Sequence, residues 1–355
     1  MRALAFITLL RADEGIPIIR RRAFVGLATA CAVSAPLDAR AQAAAKLPRV
    51  ALVFPSVPLA DMVGPDPADR VARAFVHGLR DLGHVEGRNI SIERRSAEGQ
   101  FDRLPVLMRE LVELRVDVIA TVGQGAPDAQ LATSTIPIVA WIDDPVAVGL
   151  TASLGRPTRN ITGVSGTASP AIHGKRLQLL KEAAPKSVRI AAIDFKYIDS
   201  TVTPGTHFRL RAAEAAARDL GVTLIAVGVD KPEDFEQAFA FIVRDRADAI
   251  IDMGTPNNFV HRRRIIDFAA RQRLPAIYSQ REFPESGGLM SYAPTVDPGA
   301  RMAAYVDSIL KGAKPADLPF EQPMEFKLVI NLKTAEALGL TIPPSLLLRA
   351  DQVIQ

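Results

Sequence analysis

Val50-Ala51-Leu52-Val53-Phe54-Pro55-Ser56 is a short apolar run with a β-branched share, closed by a proline. It reads as a strand buried on both faces. The period then changes. From Ala68 to Leu82 the apolar positions are Val71, Ala74, Phe75, Leu79 and Leu82, the spacing of one helix face, and Gly83 supplies a stop. Asn89–Glu93 reads as a second strand. Leu104–Leu114 reads as a helix with Asp102 as its N-cap, and Val116–Val122 as a third strand. A short helix over Ala126–Thr133 leads to a fourth strand over Ile136–Ile142. Strands alternating with helices predict a parallel α/β sheet with right-handed crossovers.

The rhythm stops between Asp143 and Ser169, where Gly149, Gly155, Pro157, Gly163 and Gly166 collect. That stretch reads as a crossover or inter-domain link. Beyond it the alternation restarts, with strands expected over Val188–Asp194, Val222–Val227, Ala247–Met253, Pro275–Tyr278, Leu289–Tyr292 and Phe326–Ile330. Helices are expected over His173–Ala184, Phe208–Leu220, Pro232–Val243, Phe259–Arg271, Pro298–Leu310 and Asn331–Leu338. The expected fold class is α/β: two Rossmann-like lobes with parallel sheets, joined by a three-segment hinge. The first lobe is assigned residues 42–160 and 294–323, the second residues 161–293 and 324–355. Ligands of such sheets bind outside the carboxyl ends of the strands.

Composition narrows the function. The chain has 355 residues, 48% hydrophobic and 23% charged, which is ordinary for a globular protein of about two domains. Its 43 basic and 39 acidic residues give a net charge of +4, too balanced to indicate a nucleic-acid binder. A single cysteine, Cys31, excludes a disulfide scaffold and any multi-cysteine metal site. The first forty residues read as an address. Arg20-Arg21-Arg22 precedes the apolar stretch Ala23 to Ala35, and Ala39-Arg40-Ala41 offers a small-residue cleavage site before Gln42. Arg21-Arg22-Ala23-Phe24-Val25 also resembles the twin-arginine pattern. Without residues 1–41 the chain keeps 37 basic and 36 acidic residues and no cysteine, so it has no thiol nucleophile. An export signal ahead of two α/β lobes is the layout of a periplasmic binding protein.

Specific stretches sharpen this. They include Leu82-Gly83 with Glu86-Gly87-Arg88-Asn89-Ile90, Asp144-Pro145-Val146, and Asn160-Ile161-Thr162-Gly163. The C-terminal run is the most distinctive: Gly287-Gly288-Leu289-Met290-Ser291-Tyr292, Glu321-Gln322-Pro323, and Leu328-Val329-Ile330-Asn331-Leu332-Lys333. From about Arg49 to its end the chain resembles the ABC transporter substrate-binding protein family, whose better-characterised members bind tryptophan or tyrosine. The resemblance implies the type I periplasmic-binding fold. It also implies a monomer in the periplasm that delivers a small molecule to a membrane permease and its cytoplasmic ATPase. Neither cofactor nor metal is implied, and the membrane is met only through the permease. An amino acid or another small carboxylate is the favoured ligand. Where many relatives carry Gly-Thr-Pro-Ala after the third strand, this chain has Gly123-Gln124-Gly125-Ala126.

Candidate ligand contacts are the strand-end loops. Ser56 follows the first strand. Gly123, Gln124, Gly125 and Ala126 lie between a strand and a helix start, where free N–H groups favour a carboxylate. Asp143 and Asp144 follow the fourth strand and suit an ammonium group; their competing role is to turn the backbone before Pro145. In the second half Phe195 and Tyr197 offer ring faces. Thr255 and Asn257 offer polar groups, with N-capping as the alternative. Tyr278 ends a strand. Trp141 shares a strand face with Val139 and is expected to be structural. An enzyme is disfavoured: five scattered histidines form no HExxH, and neither a GxSxG elbow nor a Walker A loop occurs. A ligand sensor for a membrane receptor is the alternative to transport.

Overall fold

The computed structural model describes residues 47–157, 159–166, 171–194 and 207–355. The export signal expected over residues 1–41 and the candidates Phe195 and Tyr197 lie outside them. The first sheet contains β1 (Arg49–Phe54), β2 (Ser91–Ser96), β3 (Val118–Val122), β4 (Ile138–Ile142) and β5 (Ile161–Ser165). All pairs are parallel, in the order β2-β1-β3-β4-β5. Its helices are α1 (Arg70–Asp81), α2 (Leu104–Glu113) and α3 (Gly125–Ala132). Alternate residues of β1 serve opposite faces. Val50, Leu52 and Phe54 join one core, while Ala51 and Val53 join the other, as a two-sided parallel strand requires.

The second sheet contains β6 (Arg189–Asp194), β7 (Thr223–Gly228), β8 (Ala249–Asp252), β9 (Ala276–Tyr278), β10 (Met290–Pro294), β11 (Phe326–Asn331) and β12 (Gln352–Ile354). The order is β12-β11-β10-β9-β8-β6-β7, and only the β10–β11 pair is antiparallel. The remaining helices are α4 (Ala171–Ala183), α5 (His207–Asp219), α6 (Asp234–Arg244), α7 (Pro256–Val260), α8 (Arg262–Arg271), α9 (Glu282–Glu285), α10 (Pro298–Leu310), α11 (Leu332–Ala337) and α12 (Pro344–Leu347), all but α10 packed with the second sheet. Helix α10 belongs to the first lobe. Its Met302, Ala303 and Val306 share a core with Phe75 and Leu79 of α1, and each large side chain so buried contributes on the order of 2 kcal/mol. The chain therefore crosses between sheets three times: after β5, between β10 and α10, and between Glu321 and β11.

Several expectations need correction. The segment from Asp143 to Ser169 is not all linker, because it contains β5, which pairs with β4 from Ile138↔Ile161 to Ile142↔Ser165. The lobe boundary expected at residue 160 thus falls one strand too early. The helix expected over Phe259–Arg271 is two helices. Thr255 caps α7 by accepting from Asn258 N, and His261 separates α7 from α8. Asp102 is not an N-cap; it lies in a 3-10 turn over Phe101–Arg103 that runs into α2. The short α9 and β12 carry too few residues to show a period.

Asp128 in the first turn of α3 carries a testable cost. Burial raises its pKa from 3.8 to about 6, so an ionised carboxylate there opposes folding at neutral pH. The folded state binds the extra proton, and stability is lost as pH rises through that window. Asp128→Asn should raise the melting temperature at pH 7, with the difference from wild type vanishing near pH 4. An equal gain at both values would show that burial of charge is not the cause.

Candidate functional site

Strands β1, β3 and β4 end at one side of a cavity of about 140 Å³, and β8 and β9 end at the other. A largely apolar cavity of that order holds a benzene-sized ring. Phe54, Val122 and Trp141 supply apolar wall from the first lobe, and Met253, Pro256 and Phe259 from the second. Trp141 lies on the same strand face as Val139, as expected, but at the end of β4, where the core gives way to the cavity. It is half-buried, packing against that core on one side and lining the cavity on the other.

The charges on the wall are sorted by lobe. Asp69, Asp143 and Asp144 come from the first, Arg176 and Arg209 from the second. Asp144 Oδ1 accepts from Val146 N (3.0 Å) and Ala147 N (2.9 Å), which fixes its loop. Asp143 Oδ2 lies 3.2 Å from Arg209 Nη1 across the cleft, and Arg209 Nη1 also donates to Met253 O at 3.3 Å. Burial raises the pKa of Asp143 while the two arginines pull it down, and the net direction is up. A second pair joins the lobes beside the cavity, with Arg70 Nε 2.8 Å from Glu282 Oε1. Gly123 has φ +52°, and a Cβ there would stand 3.2 Å from Pro256 Cγ of the opposite lobe. Glycine permits both this backbone and this close approach.

Arg176 is 3% exposed. Its Nε donates to Tyr292 O (3.0 Å) and its Nη2 to Ser279 O (3.3 Å). No described carboxylate forms an ion pair with it. Burial lowers its pKa to about 10, partly offset by the more distant Asp252 and Asp143, so it stays charged at neutral pH. Asp252 anchors the loops around it, accepting from Ser279 Oγ (2.5 Å), Ser279 N (3.1 Å), Asn258 Nδ2 (2.8 Å) and Gly254 N (3.1 Å). One turn before Arg176 on α4 stands His173, also on the wall and 1% exposed. Burial and the flanking Arg176 and Arg209 push its pKa well below 6.5, so the imidazole is neutral.

Of the residues expected from sequence, Gly123, Gln124, Asp143 and Asp144 are on the wall. The others described are not. Ser56 is buried behind Phe54 and Val57. Gly125 and Ala126 turn inward at the start of α3, Gly125 against Thr121 and Ala126 into the core beneath the sheet. Thr255 is a buried cap, and Asn257 is fully buried off the wall. Tyr278 is a core residue stacked on Phe283 with ring centres 4.4 Å apart, and burial raises its pKa steeply. His173, Arg176 and Arg209 escape a strand-end reading because they come from helices. The available signal was His173 and Arg176 three apart on a helix that also carries Ile172, Leu177 and Leu180, a polar pair one turn apart on a largely apolar face.

Comparison with known proteins gives consistent results. A family model described as ABC transporter substrate binding protein matches residues 56–354. A tyrosine-binding protein of Clostridioides difficile is 26% identical over 278 residues, 77% of each chain. A Vibrio cholerae conserved domain protein has a solved structure that is 26% identical, with a TM-score of 0.74 covering 87% of this chain and all of its own. An ABC domain from Streptococcus pneumonia, solved in complex with L-Trp, shares the fold with the same TM-score and coverage at 24% identity.

Proposed function

Because the chain belongs to the ABC transporter substrate-binding protein family, we propose that it captures a carboxylate-bearing amino acid between its lobes and hands it to an ABC importer. It is a binding protein and not an enzyme, as are the relatives it matches. The observation that carries the ligand reading is Arg176, a buried guanidinium on the cavity wall with carbonyls on it but no carboxylate among the described residues. A buried charge calls for a counter-charge, and a planar guanidinium suits a carboxylate. The acidic first-lobe wall across the cavity suits the ammonium group. Trp141, Phe54 and Phe259 suit an apolar or aromatic side chain, which agrees with tyrosine and L-Trp as ligands of relatives.

Ligand that touches both lobes favours the closed arrangement by its differential affinity. The three crossings act as the hinge, and the closed form is the one presented to the permease. The signal-like residues 1–41 support export, with cleavage near Ala41 and action in the periplasm. The reading is tested by a thermal-shift screen of the purified protein against amino acids, organic acids, sugars and nucleosides. A ligand at a hundred times its Kd should stabilise by about 2.7 kcal/mol. Carboxylate-bearing amino acids are expected to raise the melting temperature, with calorimetry confirming binding without turnover. A response confined to sugars or nucleosides would reject the assignment.

A further inference from the structure

Beside the cavity but off its wall, Arg70 at the start of α1 meets Glu282 at the start of α9, with Nε and Oε1 2.8 Å apart. Asp69 and Val71 line the cavity on either side of Arg70, and Ser279 and Gln280 line it just before Glu282. The pair therefore flanks the ligand space without lining it. The side chains are 31% and 16% exposed, but the two contacting atoms are shut off from solvent and neither makes a hydrogen bond. Each has the opposite charge in place of water, so the attraction is screened less than in an exposed pair. Each partner is fixed in its own lobe. Arg70 Nη1 donates to Asp297 Oδ2 (3.2 Å), and Asp297 caps α10, whose core is shared with α1. Glu282 precedes Phe283, which is buried and stacked on Tyr278 of β9. Parting the lobes leaves Arg70 with Asp297 and takes from Glu282 its one ion-pair partner among the described residues.

We propose that Arg70 and Glu282 form a latch that draws the lobes together before ligand arrives, which makes Arg70 a positioning residue for binding. This rests on the reading that ligand is held between the lobes, and it adds a determinant of affinity outside the ligand space. The contact is between the protein's own side chains, so it acts whether or not ligand is in the cleft. The larger the closed fraction, the less affinity is lost to closing the lobes. Without Arg70, Glu282 of the second lobe faces Asp297 of the first, and like charges set against each other across an interface repel.

Small-angle X-ray scattering without ligand compares wild type, Arg70→Met, Glu282→Gln and the double variant. Arg70→Met should have the largest radius of gyration. Adding Glu282→Gln should bring it back toward wild type, because the repulsion goes. An arginine that merely supports α1 would not be rescued from the other lobe. In calorimetry, Arg70→Met should weaken L-tyrosine and L-tryptophan by the same factor, roughly fivefold, and the double variant should lie between it and wild type. Equal radii in folded Arg70→Met and wild type overturn the latch, as does a double variant as open as Arg70→Met. A loss confined to one of the two amino acids overturns the remote role of Arg70. If Arg70→Met does not fold, Glu282→Gln decides: a radius above that of wild type supports the latch, and an equal one overturns it. Binding of neither amino acid to wild type rejects the amino-acid reading, while the scattering still decides the latch.

Discussion

Gly163→Ala is expected to prevent folding, or to lower the melting temperature by at least ~10 °C, several times the shift of an ordinary 1 kcal/mol mutation. Gly163 sits in the middle of β5 with φ +145°, outside the range open to other residues. A Cβ there would overlap the Ala140 carbonyl oxygen and stand 2.7 Å from Ala140 N. Ala140 and Gly163 are register partners, so the clash is removed only by parting β4 from β5. The damage spreads, because Glu321 N donates to Gly163 O (2.9 Å) and Ser165 N donates to Glu321 O (2.7 Å). Two of the three crossings are tied together at this point. Gly149→Ala is the control. Its φ is +76° but no atom lies within 4 Å of the added methyl, so the cost should stay near ~1 kcal/mol. Circular dichroism melts compare the two. A Gly163→Ala protein melting within a few degrees of wild type would refute the assignment of β5.

Arg176→Met should weaken binding of the best amino acid by about 100-fold or more, since truncating one partner of a buried charge pair costs ~2–5 kcal/mol. Methionine keeps much of the stem and removes the charge. It also leaves the carbonyls of Tyr292 and Ser279 without their donor, so some stability goes too, on the order of 1–3 kcal/mol for each group left dry. Arg176→Lys separates charge from geometry. It should recover part of the affinity as a point charge but not the planar fork. Calorimetry on protein shown to be folded gives the answer. Binding within threefold of wild type in Arg176→Met would move the carboxylate elsewhere in the cavity.

Much of the scaffold was legible in sequence because its signal is local. The helix expected over Pro298–Leu310 is the observed one residue for residue, with proline at its start and apolar residues on one face. Strand β1 announced itself through an unbroken apolar run. Strand β5 did not, since glycine, threonine and serine dilute its hydrophobicity and its stability comes from β4 and the distant Glu321. The candidate site divides along the same line. Gly123, Gln124, Asp143 and Asp144 follow strands, and topology alone sends strand ends to the cleft. Arg176 and His173 look like ordinary positions on an amphipathic helix until α4 is placed beside β9 and β10.

The sequence alone determined that strands and helices alternate in two halves, because the period of buried residues is written into neighbours a few positions apart. It also determined the family, through motifs spread along most of the chain. Only tertiary structure decided which charges meet. The Arg209–Asp143 pair joins residues 66 positions apart, and that no described carboxylate forms an ion pair with Arg176 becomes visible only when the chain around it is folded. Burial and electrostatics depend on distance in space, and no spacing along the chain records it.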